Sequence, residues 1–203
     1  MTAHDSSVVR PASAMPWGQL LVGGAIGGFA IWMGALNATG GAPSPSLAGV
    51  AAAYETARDA AMAPLQLLHI DLSPAYKDGL AFVVVMFAAM IRTALRDPDY
   101  WWAPIGVLLV GVCWHAIIVW GLTWGTQPTV TYFAEQTIME MAVFVVFITL
   151  IGPFAGFIGR AMEPVRDLDE MTSPGAMATL GHAVAIALIA GGLSVFNWAT
   201  GAP

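Results

Sequence analysis

Residues 17–36 read WGQLLVGGAIGGFAIWMGAL, and Gln19 is the only strongly polar side chain among them. A bilayer's hydrocarbon core takes roughly 20 apolar residues in a helix, so this run alone ties the chain to a membrane. Four comparable runs follow, over 79–95, 100–124, 135–159 and 175–198. All exceed the length of an ordinary strand, and none alternates with the period of two that a barrel strand requires. The expected fold class is therefore an all-α integral membrane protein. A polar N-terminal tail, 1–16, leads into a single transmembrane domain, 17–203, built as a bundle of five helices.

The composition agrees. The chain of 203 residues is 58% hydrophobic and only 10% charged, against about 25% charged in a soluble domain. Its 13 acidic and 7 basic groups leave a net charge of -6. That excludes nucleic acid as a partner, because duplex binding rests on Lys and Arg neutralising phosphates. One cysteine, Cys113, can form neither an internal disulfide nor a thiolate metal site, and its apolar setting predicts a small buried hydrophobe.

Orientation follows from the basic residues. With the N-terminus cytoplasmic, Arg10, Arg92, Arg96, Arg160 and Arg166 fall inside and only Arg58 and Lys77 outside. The positive-inside rule thus predicts a bacterial-type inner membrane protein with its N-terminus in the cytoplasm and its C-terminus outside. Trp101 and Trp102 then mark one interface, Trp120 and Trp124 the other. The first span is too long for a cleavable signal and reads as a retained signal anchor.

The outer connection between spans 1 and 2 predicts an amphipathic interfacial helix within 46–72. Ser46 is placed to cap it and Pro64 to end it, and Glu55, Arg58 and Asp59 form one narrow polar stripe. Pro153 predicts a kink in the fourth span. The inner segment EPVRDLDEMTSPG reads as a solvated acidic loop.

Between lipid tails, helices associate through close backbone approach and polar bonds. Gly23-x3-Gly27, Gly24-x3-Gly28 and Gly152-x3-Gly156 supply such faces. Five short-looped helices leave some of them for other membrane subunits or for self-association.

Ionisable residues inside the membrane are functional candidates by default. His115 lies about 13 Å below Trp124 on the helical rise, and Glu140 about 8 Å beyond Glu135 on a helix running the other way. The two can meet in the outer half of the bundle, either as a structural clamp or at a proton-, quinone-, metal- or haem-linked site. His182 lies about 10 Å from the inner end of its span, too different in depth from His115 for one haem to bridge both. Each histidine follows a small residue at four positions' distance, Gly111 and Ala178, leaving room for a flat macrocycle. Over those five residues the spacing resembles the pigment-ligating helices of bacterial light-harvesting polypeptides, which implies haem or bacteriochlorophyll ligation. The Met86-x3-Met90 pair is expected in the core rather than on a copper ion, and His69 and Asp71 are expected to be solvated.

No GxSxG, HExxH or phosphate-cradling loop occurs. No catalytic or metal site is therefore expected. The functional expectation is a non-catalytic integral subunit of an electron-transfer complex, respiratory or photosynthetic, with lipid and other subunits as partners. The alternatives are a haem- or pigment-binding redox protein using His115 or His182, and an oligomeric channel or proton-coupled carrier using Glu140 and His115.

Overall fold

The structure, a computed structural model, describes residues 17–96, 100–114, 117, 129–161 and 174–201. Side chains at 17, 19, 110, 114, 152–161, 174 and 176 fall outside that description. The described residues form six α-helices and no strand: α1 Trp17–Thr39, α2 Ala48–Gln66, α3 Pro74–Ala94, α4 Trp102–Leu109, α5 Val130–Ala161 and α6 Pro174–Thr200. A π-helical turn, Val110–Trp114, continues α4.

Four segments are long and apolar enough to cross a membrane: Leu20–Thr39, Pro74–Ala94, Val130–Ile151 and Met177–Thr200. Only the first part of the expected third span is described, as α4 and its π turn; most of the rest, including Trp120 and Trp124, lies outside the described residues. Of the five expected spans, four are therefore present as full-length helices.

Several boundaries move, each for a local reason. α3 begins at Pro74, five residues before the expected Gly79. Proline at the first helical position sacrifices no hydrogen bond, and extended Ser73 delivers the chain to it. The shift carries Lys77 and Asp78 out of the expected loop and into the helix. α5 begins at Val130 rather than Glu135, because Thr129 Oγ1 accepts the Tyr132 N–H at 3.1 Å and caps the first turn. Ser46 does not cap α2: the helix follows Leu47, whose N–H and that of Ala48 both donate to the Ser44 carbonyl at 2.9 Å. Nor does Pro64 end α2, which runs on to Gln66 before its last turn tightens. α5 likewise continues through Pro153, as membrane helices tolerate when the freed backbone groups find other partners.

Contacts at named levels give the helix directions. Gly23 lies beside His182 and Gly28 beside Ile189 and Ala190, so α1 and α6 run parallel. Gly34 meets Asp78 while Gly23 meets Val85, so α3 runs against α1. The Asp71 N–H approaches Thr131 Oγ1 and the Ser73 N–H approaches Glu135 Oε1, each at 3.4 Å, so α3 and α5 start at the same end of the bundle. Gly106 lies against Ile148 and Gly111 against Met141, so α4 and its π turn run against α5.

Ser44 closes that shared end. Its N–H donates to Asn197 Oδ1 at 2.6 Å and its hydroxyl meets Thr200 Oγ1 at 2.7 Å. The end of α1, the starts of α3 and α5 and the end of α6 thus share one side, here called the α2 end.

Phe82, Met86, Met90, Val107, Val145 and Ile186 lie at the centre of the bundle. Met86 and Met90 are both buried there, as expected for packing methionines. The glycines of α1 are used inside the chain. A Cβ at Gly24 would stand 3.2 Å from the Ala185 Cβ, one at Gly27 2.6 Å from Ile186 Cδ1, and one at Gly28 2.7 Å from the Ile189 Cβ. The expectation that Gly24, Gly27 and Gly28 dock another subunit is corrected accordingly: α6 of the same chain occupies that face. Gly23 meets only ordinary contacts, with His182 and Val85. Gly152 and Gly156 belong to α5, but their surroundings lie outside the described residues.

Candidate functional site

Among the described residues, the most polar cluster lies at the α2 end, on segments expected as a loop and a surface stripe. α2 sets Leu47 and Ala51 against Trp32, Met33 and Ala190, which turns Tyr54 and Arg58 inward one and two turns later. The Tyr54 ring stacks on Phe29 at 5.9 Å, and the Arg58 guanidinium lies 5.8 Å above the Tyr54 ring. Arg58 Nη1 then donates to Asp78 Oδ1 at 2.6 Å. The side chains of this pair are 4% and 0% exposed.

Asp78 is fully engaged. Its Oδ1 also accepts from the Tyr54 hydroxyl at 3.1 Å, and its Oδ2 accepts from Asn37 Nδ2 at 2.8 Å. Asn37 stands in the last turn of α1 and Asp78 in the first part of α3, so one carboxylate joins three helices. The chain of charges continues outward. Arg58 Nε donates to Asp59 Oδ1 at 3.0 Å, and Lys77 Nζ approaches the same oxygen at 3.4 Å. Two cations thus meet two carboxylates, and the buried members carry the hydrogen bonds that burial demands.

The ionisation of the α2 groups reflects this setting. Burial first, then the Asp78 charge and hydrogen bond, hold the Tyr54 phenol well above its ordinary value. Burial pulls Arg58 down, but its hydrogen bonds to Asp78 and Asp59 outweigh that and leave it above its usual value. Slight burial pushes Asp59 up, yet the bond and charge of Arg58, with Lys77, bring it below the ordinary carboxylate. Arg58 therefore stays a cation and Tyr54 a neutral donor throughout the physiological range. Chemically the arrangement is a polar clamp that seats α2 on α1 and α3.

The sequence did carry a signal for this cluster. Arg58 is the one cation of an alanine-rich helix and follows Tyr54 by one turn, while Asp78 directly precedes the apolar run GLAFVVV. Polar groups at such edges need partners. Helical periodicity groups Arg58 with Glu55 and Asp59 on one stripe, although Arg58 is buried and Asp59 exposed.

Of the three expected site residues, two are described. His182 is half-buried on α6 beside Gly23 of α1. Its Nδ1 lies 2.9 Å from the Ala178 carbonyl, which can only accept. In the neutral ring the hydrogen therefore sits on Nδ1, and Nε2 keeps the lone pair. Glu140 is half-buried on α5, next to the Met141 that packs on Gly111.

His115 lies outside the described residues. Gly79 adjoins Ile138 and Gly23 adjoins both Val85 and His182, so spacing along α3 puts His182 about 6 Å deeper than Glu140. These two are not brought together.

Two smaller expectations are corrected. The gap expected beside Gly111 for a macrocycle is filled: a Cβ there would lie 2.7 Å from Met141 Cγ. Cys113 is exposed rather than buried, because the π turn gives its inward position to Gly111. His69 and Asp71 are exposed, as expected, and the described residues contain no group of three potential metal ligands.

Comparison with protein-family models, with curated proteins and with solved structures finds no match to this chain. What the fold defines is a class: a multi-pass helical membrane protein whose apolar helices meet a lipid bilayer.

Proposed function

We propose that this chain is a non-catalytic integral subunit of a larger inner-membrane assembly, of the electron-transfer kind, and that it crosses the bilayer five times. The observation that carries the subunit reading is the outward face of α6. There Gly191 and Gly192 have nothing within 4 Å, between exposed Leu188 on one side and exposed Val195 and Trp198 on the other. The same fold uses glycine in α1 to bring a helix to backbone distance, and an open glycine pair among large apolar side chains suits a further helix from a partner.

The fifth crossing is supported by direction. α3 ends at the far end of the bundle and α5 starts at the α2 end, so the intervening chain has the whole bundle to traverse. α4 and its π turn run that way along α5. The distribution of Arg and Lys supports a cytoplasmic N-terminus.

Extraction in mild detergent is expected to bring the protein out with other subunits, and Gly192→Leu to release them while leaving the chain's own thermal unfolding unchanged. A stable monomer from the wild-type chain would contradict the reading.

The His182 tautomer favours a second reading, a haem- or pigment-binding protein, because an imidazole anchored through Nδ1 presents Nε2 to a metal. An absorption scan of the purified protein decides it. A Soret or bacteriochlorophyll band that disappears in His182→Ala supports ligation; the absence of any band removes it.

A further inference from the structure

α2 ends in a corner of defined shape. The His69 N–H donates to the Gln66 carbonyl at 3.0 Å and the Ile70 N–H to the Leu65 carbonyl at 3.1 Å, the paired bonds of a Schellman motif. Its left-handed position, normally glycine, is His69 with φ 58°. The corner sends Leu67 and Leu68 outward, 82% and 64% exposed, while Leu72 just beyond it is buried.

The level of this corner is given by its neighbours. Arg58–Asp78 and Lys77–Asp59 hold the middle of α2 to the start of α3, and Asp71 reaches Thr131 at the start of α5. Two candidate spans begin here, at Pro74 and Val130. The first turn of α5 exposes Val130, Tyr132 and Phe133 and is continuous with the outward stripe of Met139, Val143 and Phe147. That stripe carries no glycine, unlike the open face of α6, and its large apolar side chains suit lipid tails.

We propose that Leu67 and Leu68 form a membrane anchor, inserted at the headgroup–acyl boundary of the leaflet at the α2 end, with Tyr132 and Phe133 at the same level. The occupant is the phospholipid surface. Apolar side chains beside Tyr132, an aromatic with a polar tip, suit that boundary, and the exposed Asp59 and Asp71 nearby favour zwitterionic over anionic headgroups. α2 is in this way pinned twice, by the ion cluster at its middle and by lipid at its end. The inference is independent of any partner subunit.

The test uses the full chain with Cys113→Ala, in phosphatidylcholine nanodiscs, with a nitroxide attached at Leu67→Cys or Leu68→Cys and, for reference, at Leu150→Cys on the lipid-facing stripe. Collision with lipid-soluble oxygen is expected to exceed collision with a water-soluble nickel chelate by about threefold at 67 and 68, approaching the ratio at 150. Each label is read separately, and the wild-type unfolding temperature confirms the fold of each variant. A nickel excess at both positions would place the corner in water and overturn the anchor. Protection from both reagents would show a protein covering it and overturn the anchor equally.

Discussion

Asp78→Ala is expected to destabilise the protein by about 3–5 kcal/mol, read as a shift in the detergent or denaturant unfolding midpoint. The loss does not come from one missing bond. Removing the carboxylate leaves the Arg58 guanidinium buried without its counter-charge, and it strands the Asn37 amide and the Tyr54 hydroxyl as well. Both members of the pair are almost wholly buried, so solvent cannot take over. Arg58→Met alone carries a comparable penalty for the opposite reason, an uncompensated carboxylate.

The double variant is the informative one. With both charges gone, the loss is expected to fall short of the sum of the single losses by about 2 kcal/mol or more. Hydrogen exchange in each single variant is expected to rise first along α2, which the clamp holds in place. Strict additivity of the two changes would mean that the pair is not coupled and that α2 is held by Leu47, Ala51 and Tyr54 alone.

The second large effect is at the α1–α6 contact, where three glycines are expected to respond differently to alanine. At Gly28 the new methyl group meets the Ile189 Cβ at 2.7 Å and the Ala190 backbone nitrogen at 3.3 Å. Neither can turn away, so the helices must separate, at a cost of about 1–3 kcal/mol. At Gly27 the close atoms, Ile186 Cδ1 and Cγ1, lie toward the end of a side chain that can rotate, and the loss is expected to be smaller. At Gly23 the nearest atoms are 3.7 Å and 3.8 Å away, an ordinary contact. There the better helix propensity of alanine, up to about 1 kcal/mol, leaves the variant neutral or slightly stabilised. Unfolding midpoints of the three variants give the order directly. Equal losses at all three positions would contradict the packing described.

Length and hydropathy made the helices legible because a bilayer leaves little choice: a run of 20 apolar residues with its backbone satisfied internally is a helix. Gly24 and Gly28 were legible as packing positions for the same reason, although their partner was not. Nothing in the sequence of α1 says whether α6 of the same chain or a helix of another subunit fills that face. The buried cluster was less legible. Periodicity groups Arg58 with Glu55 and Asp59, and only the tertiary position of Asp78, brought into α3 by Pro74, separates the buried cation from its more exposed neighbours. Gly111 shows the same limit from the other side: a small residue offers space on its own helix, but Met141, thirty positions away, takes it.

The contacts that make α1 and α6 parallel imply a chain that threads the membrane an odd number of times. Reporter tags on the two ends of the chain, probed in sealed inside-out and right-side-out vesicles, test this most directly. The expected result is that the two tags are accessible from opposite sides, the N-terminal one from the cytoplasmic face. Both tags responding from the same side would contradict it, since no traverse would then connect α3 to α5.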